Sequence, residues 1–190
     1  MQNPNPRFIA AIERIDAANA QDPHGKELLY SQRMSAWLER IEPDAAEALR
    51  LAARAQHIRR WTIPRADYPM DRIGYLKWRT TLYKFHADEA AGILREVGYD
   101  EPTIARVASL VRKEQIKSAP DAQTLEDVIC LVFLENYFAE FAAGHDEDKV
   151  INILRRTWKK MSERGRGTAL TLEIPAAAKR LVERALSGEG

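Results

Sequence analysis

The sequence predicts an all-α protein, a helical bundle of about seven to eight helices. Three observations favour this class: apolar residues recur at helical spacing, Pro, Gly and capping residues mark helix ends, and no segment alternates convincingly with a period of two. At 190 residues, the chain is long enough for one well-filled core and short for two independent domains. We therefore expect residues 1–190 to form a single helical domain.

The first half of the chain contains three predicted helices and then an irregular stretch. Asn5 is followed by a proline, which is a favourable cap and first-turn pair for the first helix. A second helix follows the loop at 21–25, and a third begins near Pro43. The third runs to about Arg60, because two prolines then interrupt the helical spacing. Residues 61–71 are therefore predicted to be an irregular loop.

The second half of the chain contains five further predicted helices, at 72–97, 100–115, 125–143, 146–163 and 175–186. Thr124 and Asp127 resemble a capping box for the sixth helix, with Asp in place of the commoner Glu. A glycine ends the fourth and the sixth helices in the usual C-terminal position. Only at 168–174 do we allow a brief extended piece.

The charge of the protein is balanced, and this bears on its partners. Twenty-nine basic residues against 28 acidic ones leave a formal net charge of +1. No global field therefore steers the protein toward a nucleic acid or a membrane, and any affinity for phosphate must be local. Neither nucleic acid nor membrane is expected as a partner.

The compartment is predicted from the cysteine count and from the apolar segments. Cys130 is the only cysteine, which excludes internal disulfides and fits a reducing cytoplasm. The longest apolar run, 128–134, is far shorter than the roughly 20 residues of a membrane helix. Residues 1–14 lack a basic region followed by an apolar core, so we expect no secretory signal. These features predict a cytoplasmic location.

The order of polar residues near helix ends is the most informative feature of the sequence. His57 ends an Ala-rich helix, and His86 precedes a Gly-Ile-Leu segment in the next long helix. Glu114 lies near the end of the fifth helix, and Asp127 near the start of the sixth. This order resembles that of the HD-domain superfamily of helical metallohydrolases, over about half to two-thirds of the chain.

The resemblance implies an HD-like core at roughly 25–143, with the helices of 146–187 packed on it. It also implies a metal site with the ligands His57, His86, Glu114 and Asp127. Two imidazoles and two carboxylates suit a divalent transition metal, Zn, Mn, Fe or Ni. Tyr30 stands where the family has its first histidine, and Ile58 replaces an aspartate that bridges two metals, so a dinuclear centre would lack that bridge. Each histidine also has a structural interpretation, as a capped or surface residue, and Asp127 one as a helix cap.

More narrowly, the chain resembles the family known as domain of unknown function 4202. Five segments carry this resemblance, at 29–34, 56–61, 64–65, 74–79 and 125–128. They read Leu-Tyr-Ser-Gln-Arg-Met, Gln-His-Ile-Arg-Arg-Trp, Pro-Arg, Gly-Tyr-Leu-Lys-Trp-Arg and Leu-Glu-Asp-Val. This resemblance implies no established activity, so the function has to be inferred from the residues themselves.

Cations and aromatic residues are dense around these positions. Six of the cations are predicted to form a pocket for phosphate or a nucleotide: Arg33, Arg59, Arg65, Lys77, Arg79 and Lys113. Arginine forks bind phosphate bidentately, and aromatic planes can stack on a base. The alternative is a set of solvated helix faces whose charges pair with residues four positions away. Cations in the loop at 61–71 favour the pocket, because loops carry sites more often than helix faces do.

Three functions fit these features. The first is a metal-dependent phosphohydrolase acting on a small phosphorylated or nucleotide substrate, with no catalytic residue assigned beyond the metal ligands. The second is a non-catalytic module that binds a nucleotide or phosphate ligand on a degenerate HD-like scaffold, which the isoleucine at position 58 favours. The third is a protein-interaction domain whose exposed aromatic residues, Trp61, Trp78 and Trp158, contact a partner. A bound metal would separate the first function from the other two.

Overall fold

The computed structural model describes residues 5–114 and 119–187, and every regular element within these ranges is helical. The all-α prediction is therefore confirmed. The first part of the chain contains α1 (Pro6–Asn19), α2 (Lys26–Ile41), α3 (Glu47–Ala55), α4 (Arg72–Glu96) and α5 (Glu101–Val111). The remaining helices are α6 (Pro120–Asn136), α7 (Phe138–Ala143), α8 (Glu147–Lys160), α9 (Glu163–Leu170) and α10 (Ala176–Ser187).

The contacts within the chain define two compact units, residues 1–122 and 123–190. Helices α1 to α5 belong to the first unit, α7 to α10 belong to the second, and the boundary falls within the first turn of α6. Compactness does not decide whether the two units fold separately, so the single domain stays a prediction.

Local signals in the sequence place the helix ends of the first unit. The side chain of Asn5 accepts a hydrogen bond from the backbone N–H of Arg7 (3.1 Å) and caps α1. The side chain of Asp100 accepts one from the N–H of Thr103 (2.8 Å) and caps α5. Gly98 follows the end of α4 with φ 84°, a conformation that glycine adopts without strain.

Helix α3 is central to the first unit, since it packs against α1, α2, α4 and α5. Ala52, Ala53 and Ala55 are fully buried, and such small side chains let neighbouring helices approach closely. The helix ends at Ala55 rather than near Arg60. Arg59 adopts a left-handed conformation (φ 50°), which a right-handed helix does not accommodate. Helix α3 therefore cannot continue through Arg59.

The loop between α3 and α4 is irregular, as predicted, apart from two short 3-10 turns. Arg65 organises it through its guanidinium group, which donates hydrogen bonds to three backbone carbonyls at 2.7–3.3 Å. These carbonyls belong to Tyr68, Pro69 and Asp71. A Cβ added at Gly74, in the first turn of α4, would lie 2.1 Å from the Pro69 carbonyl oxygen, so only glycine fits there.

In the second unit, two of the predicted helices are each interrupted and form two shorter helices. The predicted sixth helix is interrupted at Tyr137, where φ is −127°. The side-chain amide of Asn136 donates to the carbonyl of Val132 (3.2 Å) and competes with the helical hydrogen bonding there. The predicted seventh helix ends at Lys160, and α9 follows it. The described ranges therefore contain ten α-helices rather than seven to eight, and residues 168–170, where an extended piece was allowed, are helical.

Asp127 connects α6 with the start of α9. Because α6 begins at Pro120, Asp127 lies inside the helix, and the predicted capping box with Thr124 is wrong. Only 4% of Asp127 is exposed. Its carboxylate accepts hydrogen bonds from the backbone N–H of Ser162 (2.8 Å), from the Ser162 hydroxyl and from the side-chain amide of Gln123 (3.1 Å).

Gly165 makes room for this arrangement. The Ser162 hydroxyl oxygen accepts a hydrogen bond from the N–H of Gly165 (3.0 Å) and so caps α9. A Cβ added at Gly165 would lie 2.6 Å from the carboxyl carbon of Asp127, whereas one added at Gly167 would meet no atom within 4 Å. We call Gln123, Asp127, Ser162 and Gly165 the Asp127 network.

The longest helix, α4, has 25 residues, with charged side chains recurring along it. Neither α4 nor any other helix in the described ranges is long and apolar enough to cross a membrane.

Candidate functional site

Three aromatic rings meet in the first unit. Tyr30 lies on α2, His57 in the turn after α3, and His86 on α4. The rings of Tyr30 and His57 are stacked, with centroids 3.9 Å apart and an angle of 9° between planes. The centroids of His57 and His86 are 5.9 Å apart. The two histidines that the sequence analysis selected from separate helices are therefore neighbours.

His86 is held in one orientation by a single hydrogen bond. Its Nδ1 lies 2.8 Å from the carbonyl oxygen of Ile58. A carbonyl can only accept, so Nδ1 carries the proton and Nε2 of the neutral ring is an acceptor. His86 is 1% exposed, and its Nε2 is buried with no hydrogen-bond partner among the described residues. The pKa of His86 is lowered to about 4, chiefly by burial; the hydrogen bond to Ile58 opposes this shift, and the charge of Arg60 contributes to it.

Glu27 places a carboxyl group beside His57. One of its oxygens lies 3.6 Å from Nδ1 of His57, and its side chain is 13% exposed. Burial raises the pKa of Glu27 to about 7; the positive charge of Arg60 opposes this rise, and the negative charge of Asp22 adds to it. Near neutral pH this carboxyl is therefore divided between its protonated and ionised forms.

Three cations act on the ring of His57. Burial, followed by the charges of Arg60, His86, Lys113 and Arg79, lowers the pKa of His57 well below its usual value, so these groups lie close to the ring. The guanidinium carbons of Arg60 and Arg79 lie 4.7 Å and 5.1 Å from the ring centroids of Trp78 and Tyr83, and the ammonium of Lys113 lies 5.6 Å from that of Tyr83. We call Glu27, Tyr30, His57, Arg60, Arg79, His86 and Lys113 the histidine cluster.

The backbone is strained at one residue of this cluster and at one residue next to it in the chain. In the part of the chain that the structure describes, Arg59 (φ 50°) and Lys113 (φ 62°) are the non-glycine residues with positive φ. Lys113 follows α5 in a Schellman motif, since the N–H of Glu114 donates to the carbonyl of Ser109 (3.0 Å). Helix α4 ends in the same motif with Gly98 at the equivalent position. A left-handed lysine costs roughly 1–2 kcal/mol, and such strain clusters at functional sites.

The first unit brings together two of the predicted metal ligands. His57 and His86 are neighbours, but Glu114 is exposed in the turn after α5, and Asp127 belongs to the second unit and its own network. Tyr30, rather than a further imidazole, stacks on His57. Within residues 5–114 and 119–187, no three His, Cys, Asp or Glu residues are grouped so that they could hold a metal ion. The metal site that the resemblance implies therefore stays a prediction.

The predicted phosphate-binding residues divide into two groups. Arg79 and Lys113 belong to the histidine cluster. Arg33 lies on α2 one turn after Tyr30 and is partly buried. These three residues are therefore on elements that form the cluster.

The other three predicted phosphate-binding residues have different surroundings. The Nε atom of Arg59 lies 3.5 Å from the carboxylate of Glu89. Arg65 is engaged by the backbone carbonyls of its own loop. Lys77 is exposed on α4. Arg65 thus has a structural role, and a phosphate would have to replace its hydrogen bonds to these carbonyls.

Trp78 does not belong to the exposed aromatic residues that the sequence analysis expected. It is 8% exposed, and its indole N–H donates to the carbonyl of Ile63 (2.9 Å). Its ring supports the guanidinium of Arg60. Trp61 and Trp158 are partly buried. A protein interface formed by these three indoles is accordingly not supported.

Sequence reasoning missed Glu27 and Arg60 as members of the site. The signal available for Glu27 was its position three residues before Tyr30, which places both on one face of a helix. Arg60 lies three residues after His57 in one of the segments that carried the family resemblance. Nothing in the sequence indicated that burial would raise the pKa of Glu27.

The second unit contains a small apolar cavity of about 20 Å³. It is lined mainly by aliphatic side chains, with Leu134, Leu154 and Trp158 among them. A single water needs roughly 10–15 Å³, so the space suits one water-sized molecule and not a metabolite. The histidine cluster is therefore the better candidate for a ligand site.

Comparison with known proteins identifies the family of the chain. No curated protein and no solved structure matches it significantly. A family model described as Domain of unknown function (DUF4202) matches residues 9–182. This range includes all members of the histidine cluster and of the Asp127 network. The protein is therefore a member of the family of domain of unknown function DUF4202.

Proposed function

We propose that the first unit binds a small phosphorylated ligand, such as a nucleotide, at the histidine cluster. The observation that carries this proposal is the group of three cations that act on the neutral ring of His57. Arg60, Arg79 and Lys113 all act on the ring of His57, while the carboxyl group of Glu27, 3.6 Å from that ring, has a raised pKa. A group of cations favours an anionic ligand, and a phosphate group has the appropriate charge.

The chemistry of the cations suits phosphate. Guanidinium groups bind phosphate oxygens through two parallel hydrogen bonds, and an ammonium group binds them as a point charge. The aromatic rings beneath Arg60 and Arg79 restrict these long side chains, which lowers the entropy lost when a ligand binds. His57 has a quarter of its side chain exposed, so a ligand can reach the cluster from solvent.

Metal-dependent phosphohydrolysis is the second candidate. The unpartnered Nε2 of His86 favours it, because neutral imidazole nitrogens are common ligands of transition metals. A third protein ligand beside His57 and His86 is lacking in the described ranges. Phosphate binding without metal is therefore the better-supported function, and hydrolysis at this site remains the narrower proposal.

The test is isothermal titration of the purified protein with inorganic phosphate, pyrophosphate and ADP at low ionic strength. Arg60→Gln and Arg79→Gln should each weaken binding about tenfold or more, because a hydrogen bond to a charged group contributes roughly 1.5–3 kcal/mol. Arg95→Gln is the matched control, since Arg95 is an exposed arginine that pairs with Glu101. Failure of all three compounds to bind, or unchanged affinity in both cluster variants, would overturn the proposal.

Elemental analysis of the same preparations separates the two candidates. Stoichiometric transition metal that is lost in both His57→Ala and His86→Ala would favour the hydrolase, because both imidazoles would then be ligands. Metal-free protein that still binds phosphate would favour the binding module.

A further inference from the structure

The buried polar atoms without partners are concentrated at one place in the molecule. Buried polar groups in folded proteins are nearly always hydrogen-bonded, so exceptions need an explanation. Within the described ranges, the buried side-chain atoms without a hydrogen bond are Asn19 Nδ2, Gln56 Oε1, Arg59 Nε and His86 Nε2. Of these, Arg59 Nε lies 3.5 Å from the carboxylate of Glu89.

All four of these residues belong to the turn 56–59 or form a hydrogen bond with it. Gln56 and Arg59 are part of the turn. The side-chain oxygen of Asn19 accepts a hydrogen bond from the N–H of Arg59 (3.0 Å), and Nδ1 of His86 bonds to the carbonyl oxygen of Ile58 (2.8 Å). This turn also carries His57, so unpartnered groups and the candidate ligand site occur together.

His86 connects these groups to the histidine cluster. It is 1% exposed, and its ring lies 5.9 Å from that of His57. Because Nδ1 is the donor to Ile58, Nε2 presents a lone pair and requires a hydrogen-bond donor. A fully ionised phosphate has acceptor oxygens only, so it cannot satisfy this atom. The cations therefore suit a phosphate group, whereas His86 requires a hydrogen-bond donor elsewhere in the same ligand.

From this division we infer that the ligand is a hydroxylated phosphate monoester, the class that includes sugar, polyol and ribonucleotide phosphates. Its phosphate binds Arg60, Arg79 and Lys113, and one of its hydroxyl groups donates a hydrogen bond to Nε2 of His86. The inference rests on the proposed phosphate-binding function and specifies its ligand class. His86 is then a specificity-determining residue, since a ligand without a hydroxyl leaves its buried acceptor unpaired.

The experiment compares three probes by calorimetry, with a metal chelator present throughout: inorganic phosphate, glycerol 1-phosphate and propyl phosphate. Propyl phosphate has the same phosphate and carbon chain as glycerol 1-phosphate but lacks the hydroxyl groups. Wild-type protein should bind glycerol 1-phosphate about tenfold more tightly than propyl phosphate. In His86→Phe this preference should fall to within about twofold.

Two further variants keep the test decisive. His86→Gln retains a side-chain donor for Ile58 and an acceptor for the ligand, so it should recover part of the preference, even if His86→Phe folds poorly. His145→Phe is the matched control, because the Nδ1 of His145 also bonds to a backbone carbonyl (2.8 Å, Phe141) and lies in the second unit. Circular dichroism checks that each variant is folded.

The outcomes distinguish this inference from the function on which it rests. If none of the three probes binds wild-type protein, the proposed function and the inference both fail. If inorganic phosphate binds but the two esters bind equally well, the inference alone fails, and Nε2 of His86 is satisfied by water or metal. Retention of the full preference in His86→Phe would also overturn it.

Discussion

Asp127 in the second unit and His86 in the first are both buried polar residues, but their surroundings are opposite. Asp127 accepts hydrogen bonds from Ser162 and Gln123 through both carboxylate oxygens. His86 is bound at Nδ1 and has no hydrogen-bond partner at Nε2 among the described residues. A buried polar group whose bonds are satisfied stabilises the fold, whereas one with an unsatisfied acceptor is a candidate for ligand recognition. The sequence analysis had placed both residues in one metal site.

One effect expected from this comparison is the loss of stability in Asp127→Ala. The substitution leaves the partly buried donors of Ser162 and Gln123 without their charged acceptor, so the free energy of unfolding should fall by about 2 kcal/mol. Urea titration followed by circular dichroism measures it. Asp146→Ala is the control, because Asp146 is an aspartate at the start of α8 that makes no side-chain capping bond. If Asp127→Ala is as stable as wild type but binds phosphate more weakly, Asp127 has a role in ligand binding and not in stability.

The pH dependence of stability tests the histidine cluster through Glu27. The pKa of Glu27 is raised from 4.5 to about 7 in the folded protein. The folded state therefore binds this proton more tightly, and the stabilisation is fully present below pH 4.5 and is lost as the pH rises to 7. Glu27→Gln, which stays neutral, should be more stable than wild type by about 3 kcal/mol near pH 8, with almost no difference near pH 4.

Urea titrations at both pH values measure the effect of Glu27→Gln. Glu114→Gln serves as the control, because the side chain of Glu114 lies in an exposed turn. Equal stability of wild type and Glu27→Gln at both pH values would mean that the carboxyl group is solvated as in an unfolded chain. The histidine cluster would then lack the buried character on which its electrostatics depend.

Gly165 tests how closely the Asp127 network is packed. The added methyl group of Gly165→Ala would overlap the Asp127 carboxyl group, so the free energy of unfolding should fall by about 2 kcal/mol. Gly167→Ala, in the same helix, has free space and should raise it by roughly 0.5–1 kcal/mol. Thermal denaturation of the two variants provides the measurement. Similar stability changes in both would show that Asp127 can move away from α9 at little cost.

The smallest effect concerns the strained lysine of the histidine cluster. Lys113→Gly relieves the left-handed conformation and should raise the free energy of unfolding by about 1 kcal/mol, while weakening phosphate binding. Lys113→Met removes the charge but keeps the strain, so it should lose affinity without gaining stability. Thermal shift and calorimetry on both variants separate the two effects. A stabilised Lys113→Gly variant with full affinity would exclude the lysine from the site.

Much of the fold could be predicted because its signals are local. The caps at Asn5 and Asp100 and the glycine at position 98 act within one turn of the residues they affect. The errors occurred where distant residues decided the outcome. Helix α9 contains two glycines, which disfavour a helix. Its N-terminal cap, Ser162, donates a hydrogen bond to Asp127, which lies 35 residues earlier in the chain. No local pattern contains such a contact.

The candidate site shows the same division between local and long-range information. The sequence by itself determined an all-helical chain and selected His57 and His86, because helix periodicity and residue order are properties of the sequence. Only the tertiary structure brought Glu27 and Arg60 to those histidines and gave Asp127 its hydrogen bonds with Ser162. It also decided the chemistry of each group, since desolvation, neighbouring charges and hydrogen bonds arise from packing between helices. A sequence states which ionisable groups are present, whereas packing determines which of them are buried, neutral or unpaired.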